Sequence, residues 1–318
     1  MLRAVAFTSV VVVIASSACL ENPPQTDTGP VDARAKLPAP PAAADGFRVV
    51  GPELTIPAGG DQMWCWVTDA EVTEDHLVKD LETYQGTNAH HLLALRSIIP
   101  RDAGDVFDCT NDMATAEPLM TPNTQNKEGT VNLLSDQFAI RVAAGTQIVM
   151  QSHYVNVSTH DIVIKDAADF IYAKPEDHRI EAQYLVVNDA GFDIPAANGQ
   201  HYQHGASCTL DSDFQFAAVI GHMHEWGKHV TVSSTPATDG LAQTVYDVDN
   251  WTAQFRDAPP VTRFPVDQPL TMHAGDTLQV SCDWLNDTDD DLTFPKEMCD
   301  SVLVYFPAKP EGFITCGN

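Results

Sequence analysis

The stretch Phe214-Gln215-Phe216-Ala217-Ala218-Val219-Ile220-Gly221-His222-Met223-His224 decides how the chain reads. It has the length and apolar content of a buried strand, in which alternate side chains share a face. His222 and His224 therefore point the same way. Gly221, just before them, lets a neighbour come close to the backbone. A second motif far downstream, Glu297-Met298-Cys299, offers a thioether. Two imidazoles with a thioether suit copper, whose reduced form favours soft sulfur. The plainer reading of Met298 is core packing beside a half-cystine, so its ligand role depends on the histidines.

Upstream lie His90-His91 and His153. Neighbours on a flat strand face opposite ways, so His90 and His91 can share an ion only at a bulge or a strand end. The preceding Gln85-Gly86-Thr87-Asn88 is a loop, which favours the strand end. His153 lies within an apolar run from Gln147 to Val157, where a lone histidine reads as a core residue. Taken together, the candidates form two ligand sets: His90, His91 and His153, then His222, His224 and Met298. His201 and His204 are bracketed by Gly199 and Gly205 and read as a loop. His229 is expected to support the second set from outside. The acidic run Asp287 to Asp291 lacks the Gly and Glu of an EF-hand loop and reads as a solvated hairpin tip.

Around these motifs the chain alternates short strands with Gly, Pro, Asn and Asp turns. Runs such as Gln62 to Val67, His91 to Ser97, Phe138 to Val142, Thr277 to Trp284 and Ser301 to Phe306 read as strands. Asp75 to Leu81 reads as a helical turn, and no long 3.6-period stretch occurs. Ala143-Ala144-Gly145-Thr146 and His273-Ala274-Gly275-Asp276 both lead into strands, a hint that two halves share an architecture. The expected class is all-β: two antiparallel, jelly-roll-like β-sandwich domains over 47–177 and 178–318, divided near Lys174-Pro175-Glu176-Asp177. Each domain would carry one ligand set, with a metal-lined cleft between them.

The chain has 318 residues, 17 Lys and Arg against 44 Asp and Glu, and a formal net charge of −27. So acidic a chain lacks the basic clusters that bind nucleic acid. Residues 1–19 have the form of an export signal: Arg3, then an apolar stretch centred on Val10 to Ile14, then Ser16-Ser17-Ala18 before Cys19. Small residues before a cysteine resemble a bacterial lipobox, although Ser16 stands where Leu is usual. The expected location is the periplasm or cell envelope, with a lipid anchor at Cys19 as the membrane contact. Residues 20–46, rich in Pro and Ala, read as a disordered, solvated tether. Cys65, Cys109, Cys208, Cys282, Cys299 and Cys316 remain, an even number suited to disulfides in an oxidising compartment, with the connectivity open.

In order along the chain, His90-His91-Leu92-Leu93, Gln151-Ser152-His153-Tyr154, His222-Met223-His224 with Gly227-Lys228, and Glu297-Met298-Cys299 resemble the copper type II, ascorbate-dependent monooxygenases. This family is typified by the peptidylglycine α-hydroxylating and dopamine β-monooxygenases, and the resemblance runs from about Phe47 to Cys316. It implies the disulfides Cys65–Cys109, Cys208–Cys316 and Cys282–Cys299. It also implies two copper ions, one for electron transfer at His90, His91 and His153 and one for oxygen chemistry at His222, His224 and Met298. The implied reaction inserts one oxygen atom of O2 into a C–H bond of a small organic substrate, with a reductant such as ascorbate as electron donor. The peptide hydroxylase grips its substrate carboxylate through an arginine, an asparagine and a tyrosine. Here those positions hold Ile220, Asp300 and Val302, so a peptide carboxylate is not the expected substrate, and a neutral, apolar or amine-bearing one is. The alternative from another class is a copper-binding or electron-transfer protein that hydroxylates nothing.

Overall fold

Twice along the chain, the same set of strands is laid down in the same spatial order. In the first half Asp61–Val67, Ile148–Val155, Ala89–Ser97 and Ala116–Met120 lie side by side. In the second half Tyr202–Thr209, Thr277–Trp284, Gly227–Thr235 and Gln243–Val248 do the same. The facing sheets also correspond. Phe138–Val142, His76–Tyr84, Ala167–Tyr172 and Gly46–Val50 are matched by Leu270–Met272, Phe214–His222, Cys299–Phe306 and Gln183–Asp189. This computed structural model describes residues 29–109, 115–122, 133–196, 199–238, 240–256, 258–294 and 296–317. The chain is all-β and built as β-sandwiches, as its turn-punctuated strands require.

The repeat extends to single hydrogen bonds. Gly145 and Gly275 adopt φ of 81° and 91°, where glycine is favoured. Their N–H groups donate to Val72 and Leu210 carbonyls, both at 2.8 Å. Asn156 donates through Nδ2 to the carbonyls of Ile56, Pro57 and His160, and Asn286 donates in the same way to those of Ile194, Pro195 and Asp290. The acidic run is thus an Asn-pinned turn, with Asp287 also accepting from Trp226 Nε1 at 3.0 Å and Asp291 accepting from the Ala196 N–H at 2.6 Å.

The strand Phe214–His222 serves two cores because its alternate side chains face opposite ways. Phe214, Phe216 and Val219 pack with Val230, Val232, Leu278 and Trp284 inside the second half. Ala218 and Ile220, with Val304 and Phe306 on the neighbouring strand, pack with Leu133, Phe138 and Ile140 of the first half. Phe138 and Phe306 meet at 5.2 Å between ring centroids. Ile220 and Val302, which stand where the resembled family binds a carboxylate, belong to this shared apolar layer.

Two expectations need correction. Asp75 to Leu81 is not helical, because His76–Tyr84 is a strand. Val78 and Leu81 both point inward at helix-like spacing because the ladder to Ala167–Tyr172 slips there, Ile171 facing Asp80 and Tyr172 facing Val78. A bulge inserts one residue and resets the alternation. The stretch 20–46 is not solvated throughout: Val31–Asp32 pairs with Ile162 and Val163, and Ala33 is buried. A Cβ on Gly86 would lie 1.4 Å from the Ala33 carbonyl oxygen, so this docked segment needs glycine there. The proposed signal and Cys19 fall outside the described residues. All three disulfides implied by the resemblance are present, Cys65–Cys109, Cys208–Cys316 and Cys282–Cys299.

Candidate metal centres

Adjacent histidines share a face in the first set because the strand bulges between them. His153 on Ile148–Val155 faces His91, while the next residue, Tyr154, faces Ala89. His90 is therefore the inserted residue, lifted to the side of its neighbour. One candidate ligand atom from each of His90, His91 and His153 lies within 4.8 Å of the others, and among the described residues this is the one His, Cys, Asp or Glu group that converges so.

The outer hydrogen bonds fix which nitrogens face inward. His91 Nε2 lies 3.0 Å from Gln151 Oε1, and His153 Nε2 lies 2.6 Å from an Asp61 carboxylate oxygen. These oxygens accept, so each Nε2 carries the proton and each Nδ1 keeps its lone pair. His153 Nδ1 is buried with no hydrogen-bond partner. His90 Nδ1 and His91 Nδ1 stand 3.2 Å apart. Nitrogens that share an ion at about 2 Å lie roughly 3 to 4 Å from one another, so the trio fits a metal with small ring rotations. Burial holds the His91 imidazole well below its usual range, with the neighbouring His153 and His90 adding to the effect. Burial likewise lowers His153, against the pull of Asp61. Both rings are neutral near pH 7, the form that binds metal.

In the second set, His222 closes its strand and His224 lies two residues beyond, their ring centroids 5.1 Å apart at 80°. Met223 between them is fully buried in the opposite direction, so the alternation predicted from sequence continues past the strand end. A Cβ on Gly221 would meet Val230 Cγ2 at 2.6 Å, which is the close approach expected there. His224 Nδ1 lies 3.0 Å from the Lys296 carbonyl, which can only accept, leaving Nε2 as the free donor atom. His222 pairs with Asp300 on the neighbouring strand, and half-buried Met298 lies two residues before Asp300 along the chain. The Cys282–Cys299 disulfide anchors that segment from the next residue.

Glu297 is the part of this set that sequence reading left without a role. Its carboxylate is fully buried and accepts from the N–H groups of His224, Trp226 and Met298 and from Trp284 Nε1, at 3.0, 2.9, 3.3 and 2.9 Å. One side chain thus binds the H-x-H segment to the methionine segment. A carboxylate directly beside Met298 was the signal available. Half-buried Asp300 takes a hydrogen bond from Asn188, and desolvation pushes its carboxyl up to about 7.

Burial lowers His224 to about 4, helped by the Arg256 guanidinium. Burial holds His222 well below its ordinary value, with further push from His224, Arg256 and, across the molecule, His90. His224 in turn feels His153. The two sets are within electrostatic reach of each other.

The repeat did not copy a metal set from one half to the other. His91 corresponds to His229, which sits after the same slip in register, Gly227 facing Trp284 and His229 facing Asp283. There the partner of the ladder is Asp283 rather than a histidine, and Lys228 replaces His90. His229 binds Asp247 at 2.7 Å rather than supporting the second set. His204 lies in the strand Tyr202–Thr209, not in a loop, and bonds buried Asp189, while His201 just before it bonds Asp283.

No family model matches the chain, and no curated protein matches it. Among solved structures, the major capsid protein P2 from Bacteriophage PM2 is similar at 10% identity and TM-score 0.34, over 84% of this chain and 100% of that chain. A structure of infectious bursal disease virus Gx strain is similar at 9% identity and TM-score 0.22, over 86% of this chain and 74% of that chain. Likeness at these scores carries no inference about what the chain does.

Proposed function

We propose that the chain is an exported, lipid-anchored two-copper monooxygenase that hydroxylates a C–H bond of a small organic substrate, using O2 and an external reductant such as ascorbate. The observation that carries this reading is the His153 Nδ1 lone pair, buried and unpartnered where the rings of His90, His91 and His153 converge. An unpaired buried acceptor costs free energy on the order of 1 to 3 kcal/mol, and a cation among the three nitrogens would remove that cost. His90, His91 and His153 would hold one ion, and His222, His224 and Met298 the other, across a cleft between the two sandwiches.

Bound copper would supply one-electron transfer at the first set and activation of dioxygen at the second. The chain's own groups prepare both sets. Asp61 and Gln151 hold their imidazoles with Nδ1 inward, and the Lys296 carbonyl holds His224 with Nε2 available. Burial keeps His91, His153, His222 and His224 unprotonated near neutral pH, so no proton competes for the ligand atoms. Glu297 fixes the distance between the H-x-H and methionine segments. The apolar packing of Ile220 and Val302 in the layer joining the halves disfavours a carboxylate there, in keeping with a neutral or amine-bearing substrate.

Oxygen uptake by the copper-loaded chain, with ascorbate and a panel of small organic substrates, tests the activity. The expected result is reductant- and substrate-dependent uptake with a hydroxylated product. Met298→Ile should retain the histidine-bound copper and form no product. Copper at both sets with no substrate oxidised across the panel would favour an electron-transfer protein instead.

A further inference from the structure

Arg256 stands at the end of a single helical turn, Ala253–Arg256, whose place is fixed against the second ligand set from two sides. Trp251 donates through Nε1 to the His224 carbonyl at 2.9 Å and meets Phe255 edge-on at 5.7 Å between centroids. The guanidinium itself donates to the carboxylate of Glu225, the residue after His224. Its side chain is only 14% exposed, against 38% for Glu225. In a chain with 17 cations against 44 acids, a cation sequestered here is unusual placement. Its charge opposes a second positive charge on His222 and His224 beside it.

We propose that Arg256 is a positioning residue that tunes redox balance, its fixed positive charge favouring the singly charged over the doubly charged copper ion at the second ligand set, with Glu225 setting how much of that charge the set feels. The inference rests on the two-copper reading and concerns its regulation. Reduction of Cu(II) to Cu(I) takes one electron from the external reductant and removes one unit of positive charge from each set. A nearby cation in a poorly solvated region raises the energy of the doubly charged form more than that of the singly charged form. The outcome is a higher reduction potential at the second set, which makes it easier for a mild one-electron donor to reduce. Neutralising Glu225 should strengthen the effect, because its carboxylate offsets the guanidinium.

The test is an anaerobic reductive titration of the copper-loaded full chain, with the Cu(II) signal followed by electron paramagnetic resonance. Arg256→Gln should lower the ratio of Cu(I) to Cu(II) affinity by on the order of tenfold at the second set, and Glu225→Gln should raise it. Arg256→Lys, which keeps the charge, should stay near wild type, and Glu225→Gln carries the test if Arg256→Gln does not fold. Unchanged midpoints in Arg256→Gln, or a shift of the same sign in Arg256→Gln and Glu225→Gln, would overturn the proposal and leave the two-copper reading standing. A wild-type chain that binds no copper would remove both.

Discussion

His153 and His91 stand directly opposite each other on neighbouring antiparallel strands, and the slip in register immediately beyond them brings His90 to the same side. Three imidazoles from two strands therefore meet without any long loop. Directly opposed residues in such a ladder hold their Cβ atoms about 4.5 to 5.5 Å apart, close enough for both rings to reach one ion.

The orientation of that site depends on Asp61, which holds His153 through Nε2 at 2.6 Å. Asp61→Asn keeps the shape but offers a weaker acceptor, and its amide can turn a donor toward the ring. Copper affinity at the first set should fall about 10- to 100-fold, with the fold intact and the second set unaffected. Competition titration with a copper chelator measures this. An unchanged affinity would mean that Asp61 does not orient His153.

Glu297→Gln should weaken the chain and the second set together. Oε2 accepts three hydrogen bonds and Oε1 one, so an amide at either position turns an N–H toward another donor. The loss should be about 1 to 3 kcal/mol in urea unfolding of the metal-free chain. Copper affinity at His222 and His224 should drop while that of the first set holds. A variant as stable as wild type would show that the buried carboxylate is not what ties the two segments together.

Acid should destabilise the metal-free chain before most carboxylates titrate. His224 takes its proton near 6.5 when unfolded but only near about 4 when folded. Between those values the unfolded chain binds more protons, so stability falls as pH falls through this window. His91, His153 and His222 are lowered too and add the same sign. The His224 contribution is at most about 3 kcal/mol. Unfolding free energies at pH 7, 5.5 and 4, compared with His224→Gln, measure it. A loss equally large in the variant would place the acid sensitivity elsewhere.

Much of this was legible from residue patterns, for identifiable reasons. Phe214 to His224 announced a buried strand because Phe216 to Ile220 is uninterruptedly apolar, and the spacing of His222 and His224 gave their common face. The repeated Ala-Gly turn marked a true duplication, since Gly145 and Gly275 make equivalent bonds. Bulges were the main obstacle. Val78 and Leu81 mimicked a helix because a slip in the ladder resets inside and outside, and the slip at His90 needed the facing strand to be seen. Asp61 and Arg256 were silent because each acts on a histidine from a distant part of the chain, and Gln151 was visible as a motif member but its partner His91 was not. Glu297 was visible as a motif member, but its four donors come from segments that only the fold assembles.

The central claim is that the chain carries two separate metal sets, and copper content per chain tests it most directly. After loading with Cu(II) and exhaustive dialysis, elemental analysis of the full chain should give two copper ions per chain, one in His153→Ala, and one in a His222→Ala, His224→Ala double variant. One copper or none in the wild-type chain, or the same content in His153→Ala as in wild type, would contradict the account.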